Sequence, residues 1–133
     1  GTYLAADSRA TEHFESGYYK DDNKKIRKIN GSYIACCGDS FEELLFVRWF
    51  KDQTKEKPVL SIDFAAFVVR DGKLFAYNKM LIAEQYYPPE ACGSGAPFAM
   101  GAMYAGKNAI EAVGIAIKLD ENSGGKVRSV KIK

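Results

Sequence analysis

Two dipeptides, Asn30-Gly31 and Asp71-Gly72, restrict the fold of this 133-residue chain more than any other feature. Asx-Gly pairs favour the left-handed backbone of a type I′ turn, whose twist matches that of paired strands, so each closes a tight antiparallel hairpin. The flanking runs agree. Lys25-Ile26-Arg27-Lys28-Ile29 enters the first turn, with Ile26 and Ile29 three apart, and residues 32–37 leave it and end at Gly38. Residues 61–70 and 73–78 flank the second turn with β-branched and aromatic content.

Helices fill the spaces between. Ser40 with Glu43 three residues later has capping-box spacing. Phe41, Leu44, Leu45, Val47, Trp49 and Phe50 follow at helical intervals, and the pattern fades at Lys51-Asp52-Gln53-Thr54 before Pro58. After Pro88-Pro89 and Gly93-Ser94-Gly95, Pro97 suits the first turn of a helix that reaches about Ala105. Gly106 ends it, and Asn108 caps another over 109–118. Asn122-Ser123-Gly124-Gly125 is a turn, and residues 127–132 form a closing strand. At the front, residues 2–6 read as a strand ending at Asp7, and 8–22 as irregular chain with a strand inside it. Hairpins with helices set apart from them predict α+β layers and not a parallel βαβ sheet. No internal repeat is present.

Composition excludes several classes. Nineteen basic residues against 17 acidic give a net charge of +2, and the Lys-rich stretch at 20–28 also holds Asp21 and Asp22, so nothing marks a nucleic-acid-binding surface. The apolar stretch at 96–119 is broken by Lys107, Asn108, Glu111 and Lys118, so no membrane span is expected. Asp7, Arg9, Glu12 and Glu15 interrupt any leader-like segment, and a cytoplasmic protein is expected. Cys36, Cys37 and Cys92 have no metal-ligand spacing and are read as small buried thiols of a reducing compartment. His13 is the sole histidine, which thinly supports a His metal site or a Ser-His-Asp triad. No cofactor is indicated.

Four features have chemical potential. Asp7 ends an apolar strand, Lys25 begins another, Gly38 stands where a strand gives way to a capped helix, and Gly93-Ser94-Gly95 precedes a further helix. Amides at a helix start can stabilise an oxyanion, and a Lys held near an Asp can tune a nearby hydroxyl or amine. Each also has an ordinary explanation: a turn cap for Asp7, a surface Lys at 25, backbone conformation at Gly38, local backbone bonding by Ser94 and Ser123, a helix end for Asp120, a structural turn residue at Thr11.

In order along the chain, however, the motifs resemble proteasome β-type subunits. Leu4-Ala5-Ala6-Asp7-Ser8-Arg9-Ala10-Thr11 looks like the family's strand ending in Asp, followed by Arg and a small-Thr pair. Lys24-Lys25-Ile26-Arg27-Lys28-Ile29 is similar to its Lys-bearing strand, with the double Lys of HslV. Ile34-Ala35-Cys36-Cys37-Gly38, Gly93-Ser94-Gly95 and Asp120-Glu121-Asn122-Ser123-Gly124 resemble three further elements. The chain thus resembles the HslV-like N-terminal-nucleophile (Ntn) hydrolases.

The resemblance implies a four-layer αββα sandwich of two antiparallel sheets between helical layers, over one domain spanning 1–133. It implies a threonine-type peptidase or amidohydrolase, in which an N-terminal Thr attacks and its own α-amine is the base. Asp7 would orient Lys25 beside the nucleophile, Gly38 would donate to the oxyanion, and Ser94, Asp120 and Ser123 would surround the terminal amine. Thr11 would line the substrate wall. Implied partners are a peptide or protein substrate, further copies of the chain, as in a ring, and an ATPase unfoldase.

Two departures follow. The family's nucleophile heads a strand upstream of the position of Gly1, so the domain is expected to be N-terminally incomplete and inactive as given; Thr2, on the same short strand as Asp7, is a poor substitute. The alternative is a silent scaffold or assembly subunit. Only residues 51–60, limited by Pro58, stand where HslV-type subunits have a second long helix, so one helical layer should be thin.

Overall fold

The computed structural model describes residues 2–11, 19–21 and 24–132, with the backbone alone at 10–11 and 19–20. In chain order the elements are β1 (Tyr3–Ala6), β2 (Ala10–Thr11), β3 (Tyr19–Lys20), β4 (Ile26–Ile29), β5 (Ser32–Cys37), α1 (Ser40–Asp52), β6 (Ala65–Arg70), β7 (Lys73–Tyr77), β8 (Glu84–Tyr86), α2 (Ala96–Tyr104), α3 (Ala109–Leu119) and β9 (Arg128–Lys131). They pack as two compact units, residues 27–88 and residues 1–26 with 89–133.

The central unit is built on a sheet in the order β4-β5-β6-β7-β8. Both expected hairpin turns have left-handed backbone at each position: Asn30 and Gly31 have φ of 51° and 81°, Asp71 and Gly72 of 51° and 71°. The Asp71-Gly72 turn sets the register of its hairpin, pairing Arg70 with Lys73, while in the neighbouring β5–β6 pair, joined through α1, Ile34 lies opposite Val68. Ile34, Ala66, Val68 and Tyr77 then meet Phe46 of α1, with Leu60, Phe64 and Leu81 completing the core. Phe46 stands within 5.3–5.9 Å, ring centre to ring centre, of Trp49, Phe50, Phe64 and Tyr77.

Three details differ from expectation. The cap of α1 is Asp39, whose carboxylate accepts the Phe41 N–H at 2.7 Å, so Ser40 is the first helical residue. Residues 61–64 form a turn, closed by Phe64 N–H to the Ser61 carbonyl at 3.2 Å, so β6 starts four residues late while Leu60 and Phe64 anchor in the core. The short strand β8 extends the sheet edge where no strand is expected. No helix lies between α1 and β6, in line with the thin helical layer.

The other unit pairs β1 antiparallel to β9, with Leu4 opposite Val130. The helix α3 packs on β1 and on α2, and the α2–α3 contact is made by Ala99, Ala102, Ala112 and Ala116, whose small side chains let the helices approach. Asn108 and Glu111 form a full capping box at the start of α3, at 2.9 and 3.1 Å. A second ribbon joins β2 to β3.

Cys36 is a half-buried free thiol, and burial followed by the nearby Glu43 carboxylate pushes its pKa far up, so it stays protonated and inert. Cys37 and Cys92 correct the expectation of three thiols, because both are disulfide-bonded. That removes the cysteines as a ground for a reducing compartment. Sequence spacing holds no sign of such a bond, since tertiary structure creates it.

Candidate active site

The end of β1 delivers Asp7 into a divided set of contacts. Its Oδ1 accepts the Lys25 ammonium at 2.5 Å, and its Oδ2 accepts the Gly124 N–H at 2.9 Å. A carboxylate bound through both oxygens is fixed in rotation, and it anchors the ammonium it holds. The side chains of Asp7 and Lys25 are 13% and 26% exposed, which strengthens the pair relative to one in bulk solvent. The adjacent Ser8 is fully buried. Its N–H donates to the Gly124 carbonyl at 2.9 Å, and its hydroxyl donates to the Lys126 carbonyl and accepts from Arg128 Nε at 3.2 Å. These bonds lace the start of the loop after β1 to the chain leading into β9.

A second cluster forms at the end of α3. Asp120 caps that helix with its N–H on the Ala116 carbonyl, and its Oδ2 accepts the Ser123 hydroxyl at 2.6 Å and the Ser94 hydroxyl at 2.7 Å. Those bonds, Ser123 first and Ser94 second, hold the Asp120 carboxyl below the usual range. Gly95 makes the approach possible: a Cβ there would stand 3.0 Å from Ser123 Oγ and 3.1 Å from Ala116 Cβ.

Residues 120–124 join the two clusters. Asp120 begins that turn and binds Ser123 near its end, and the next residue, Gly124, holds Asp7. Five of the six residues expected to be catalytic (Asp7, Lys25, Ser94, Asp120 and Ser123) are therefore connected within one unit. Gly38 belongs to the central unit, between β5 and the Asp39 cap. Its φ of +119° is a glycine conformation, and a Cβ would lie 3.4 Å from the Phe64 Cα. Thr11 pairs by its backbone with Tyr19. His13 lies outside the described residues.

Sequence reasoning met Gly95 and Arg9 within motifs but gave neither a role in the site. The Arg9 guanidinium binds both Asp21 oxygens and the Glu121 carbonyl, so it too reaches the 120–124 turn. The consecutive glycines Gly124-Gly125 were the available signal, since close approach of another group is one reason for adjacent glycines. Among the described residues, no group of three or more His, Cys, Asp or Glu could hold a metal ion, and no helix is long and apolar enough to cross a membrane.

Chemically, the arrangement offers an anchored ammonium and, linked to it through Asp7 and Gly124, a carboxylate with two hydroxyls. The first can steady a developing alkoxide and the second can hold an amine.

No family model and no curated protein sequence matches the chain. Solved structures do match. BPH of Thiobacillus denitrificans superposes with a TM-score of 0.75 at 20% identity, over 96% of this chain and 90% of that one. The same protein in complex with epoxomicin gives 0.76 at 20% identity, with the same coverage. Eukaryotic HslV from Trypanosoma brucei gives 0.67 at 18% identity, over 96% and 91%. At these identities the likeness is one of architecture, and the chain has the α+β fold of HslV-type proteins.

Proposed function

We propose that this chain is the body of a threonine-type Ntn peptidase or amidohydrolase, whose nucleophile is an N-terminal residue upstream of the position of Gly1. The observation that carries the proposal is the connection from Lys25 through Asp7 to Gly124 and, across the peptide bond to Ser123, on to Asp120 and Ser94, every other link being a hydrogen bond, on a fold of the HslV type.

In this mechanism the nucleophile's hydroxyl attacks the amide carbonyl carbon and gives its proton to its own α-amine. Lys25, held by Asp7, stabilises the oxygen as it loses that proton. The carbonyl oxygen becomes an oxyanion, which accepts a hydrogen bond from the Gly38 N–H. Ser94, Asp120 and Ser123 orient the α-amine so that its lone pair faces the hydroxyl. Collapse breaks the C–N bond, the departing amine takes the proton from the α-ammonium, and an ester remains on the nucleophile. Water, deprotonated by the same amine, hydrolyses the ester. Thr11 borders the substrate. Assembly with further copies and an unfoldase ATPase accompany the proposal as expectations.

The test is mass spectrometry of the protein with its natural N-terminus after incubation with epoxomicin, alongside hydrolysis of fluorogenic peptides. A single adduct on an N-terminal Thr, lost in its Ala variant together with hydrolysis, supports the enzyme. A mature N-terminus without hydroxyl or thiol, and no adduct, leaves the catalytically silent scaffold.

A further inference from the structure

The turn that joins the two clusters is gripped from outside by an ion pair. Arg9 Nε and Nη2 donate to Asp21 Oδ1 and Oδ2 at 2.7 and 3.0 Å, a bidentate fork that holds the guanidinium plane still. Its Nη1 donates to the Glu121 carbonyl at 2.9 Å. The face of the same group lies against Gly124, where a Cβ would stand 2.5 Å from Arg9 Cζ and Nη2. Next along the chain, Gly125 meets the other partner: its Cβ would lie 2.7 Å from the Asp21 carbonyl oxygen, and its φ is +77°. The two glycines thus face one member each of the ion pair.

Exposed ion pairs usually contribute little. This one differs in geometry. Arg9 is only 17% exposed, is bound at three nitrogens, and packs where no side chain fits. What it grips is the backbone whose N–H holds Asp7 and whose carbonyl receives the Ser8 N–H.

We propose that Arg9, locked by Asp21, is a positioning residue of the candidate site: it sets the place of the 121–124 backbone and thereby aims the Gly124 N–H at Asp7, and Asp7 at Lys25. Asp21 comes from the chain after β3, so a segment distant from β9 in sequence takes part in orienting the site. The catalytic side of the proposal rests on the hydrolase function above; the structural side does not.

The experiment uses the full protein with its natural N-terminus, as wild type, Arg9→Met, Arg9→Lys and Asp21→Asn. Amide hydrogen exchange reads the Gly124 N–H, with Ala112 and Ala116 in α3 as internal references, and peptide hydrolysis reads kcat and KM separately. Gly124 exchange should quicken about tenfold or more in Arg9→Met and Asp21→Asn, with the α3 amides unchanged. The kcat should fall about a hundredfold with KM held, as expected when a reacting group is misaligned. Arg9→Lys keeps the charge without the fork and should resemble Arg9→Met, whereas a purely electrostatic role predicts rescue. Unchanged Gly124 exchange overturns the positioning role, and so does a kcat that stays at wild-type level while exchange quickens. Should the wild type itself be inactive towards peptides and epoxomicin, the hydrolase function falls, and Gly124 exchange still decides the Arg9 role.

Discussion

Asp7 and Gly124, 117 positions apart in the chain, are joined by a 2.9 Å hydrogen bond to one carboxylate oxygen, while the other oxygen takes the Lys25 ammonium at 2.5 Å. The carboxylate therefore has two duties that substitutions can separate. Its charge balances Lys25, and its fixed rotation decides where the ammonium points.

Replacing Asp7 by Asn keeps an acceptor for the Gly124 N–H but removes the charge that holds Lys25. In the protein with its natural N-terminus, Asp7→Asn and Lys25→Met should each lower kcat for a fluorogenic peptide by about 10²-fold or more, the scale of a lost acid–base partner. Thermal melting should move by only a few degrees, as for loss of about 1 kcal/mol. Wild-type turnover in either variant would remove the pair from the mechanism.

Asp120 gives a dependence on acidity. Ser123 and Ser94 lower its folded pKa below the ordinary carboxylate value. The folded state thus binds the proton less readily than the unfolded chain, so the stabilisation is full above about pH 4 and is lost as pH falls through the lowered folded value. The stability difference between wild type and Asp120→Asn, from denaturant titrations, should be constant between about pH 5 and 7 and shrink below about pH 4. A difference that grows on acidification would reverse the assignment.

What could be read from the chain follows from how local each cause is. Asn30-Gly31 and Asp71-Gly72 were legible because their conformation is written in two adjacent residues. The first helix was legible by its apolar spacing, but its cap was not: Asp39 and Ser40 are both good caps, and only backbone geometry selects the carboxylate. The strand β8 left no trace, since Glu84, Gln85 and Tyr86 are all exposed and show no alternation. Asp7, Lys25, Ser94, Asp120 and Ser123 stood out through the resemblance of their motifs. The bonds joining them, and the contacts of Gly95 and Arg9, span parts of the chain that only tertiary folding brings together.

Gly38 combines a structural and a proposed chemical demand. At φ +119° any L side chain is strained, and an added Cβ meets the Phe64 backbone at 3.4 Å. Gly38→Ala should destabilise the protein by about 1–2 kcal/mol through backbone conformation. Ala keeps the backbone N–H, so its catalytic effect comes from moving that group. If the N–H donates to the oxyanion, the displaced backbone should lower kcat by up to about 10²–10³-fold, the scale of a lost donor and far beyond what that instability produces at 25 °C. Stability by denaturant titration and turnover on one preparation distinguish the two effects; a loss of stability with turnover intact would confine Gly38 to the turn.

Phe46 tests the core that carries α1. It is fully buried and touches four aromatic rings, so truncation leaves a void the surrounding sheet and helix close only in part. Phe46→Ala should lose about 3–5 kcal/mol in denaturant unfolding. On the same helix Phe41 is 67% exposed, and Phe41→Ala should stay within about 0.5 kcal/mol of wild type. Because both residues are Phe on one helix, helix propensity cancels between them and the contrast isolates burial. Comparable losses in the two variants would mean that α1 does not pack through Phe46.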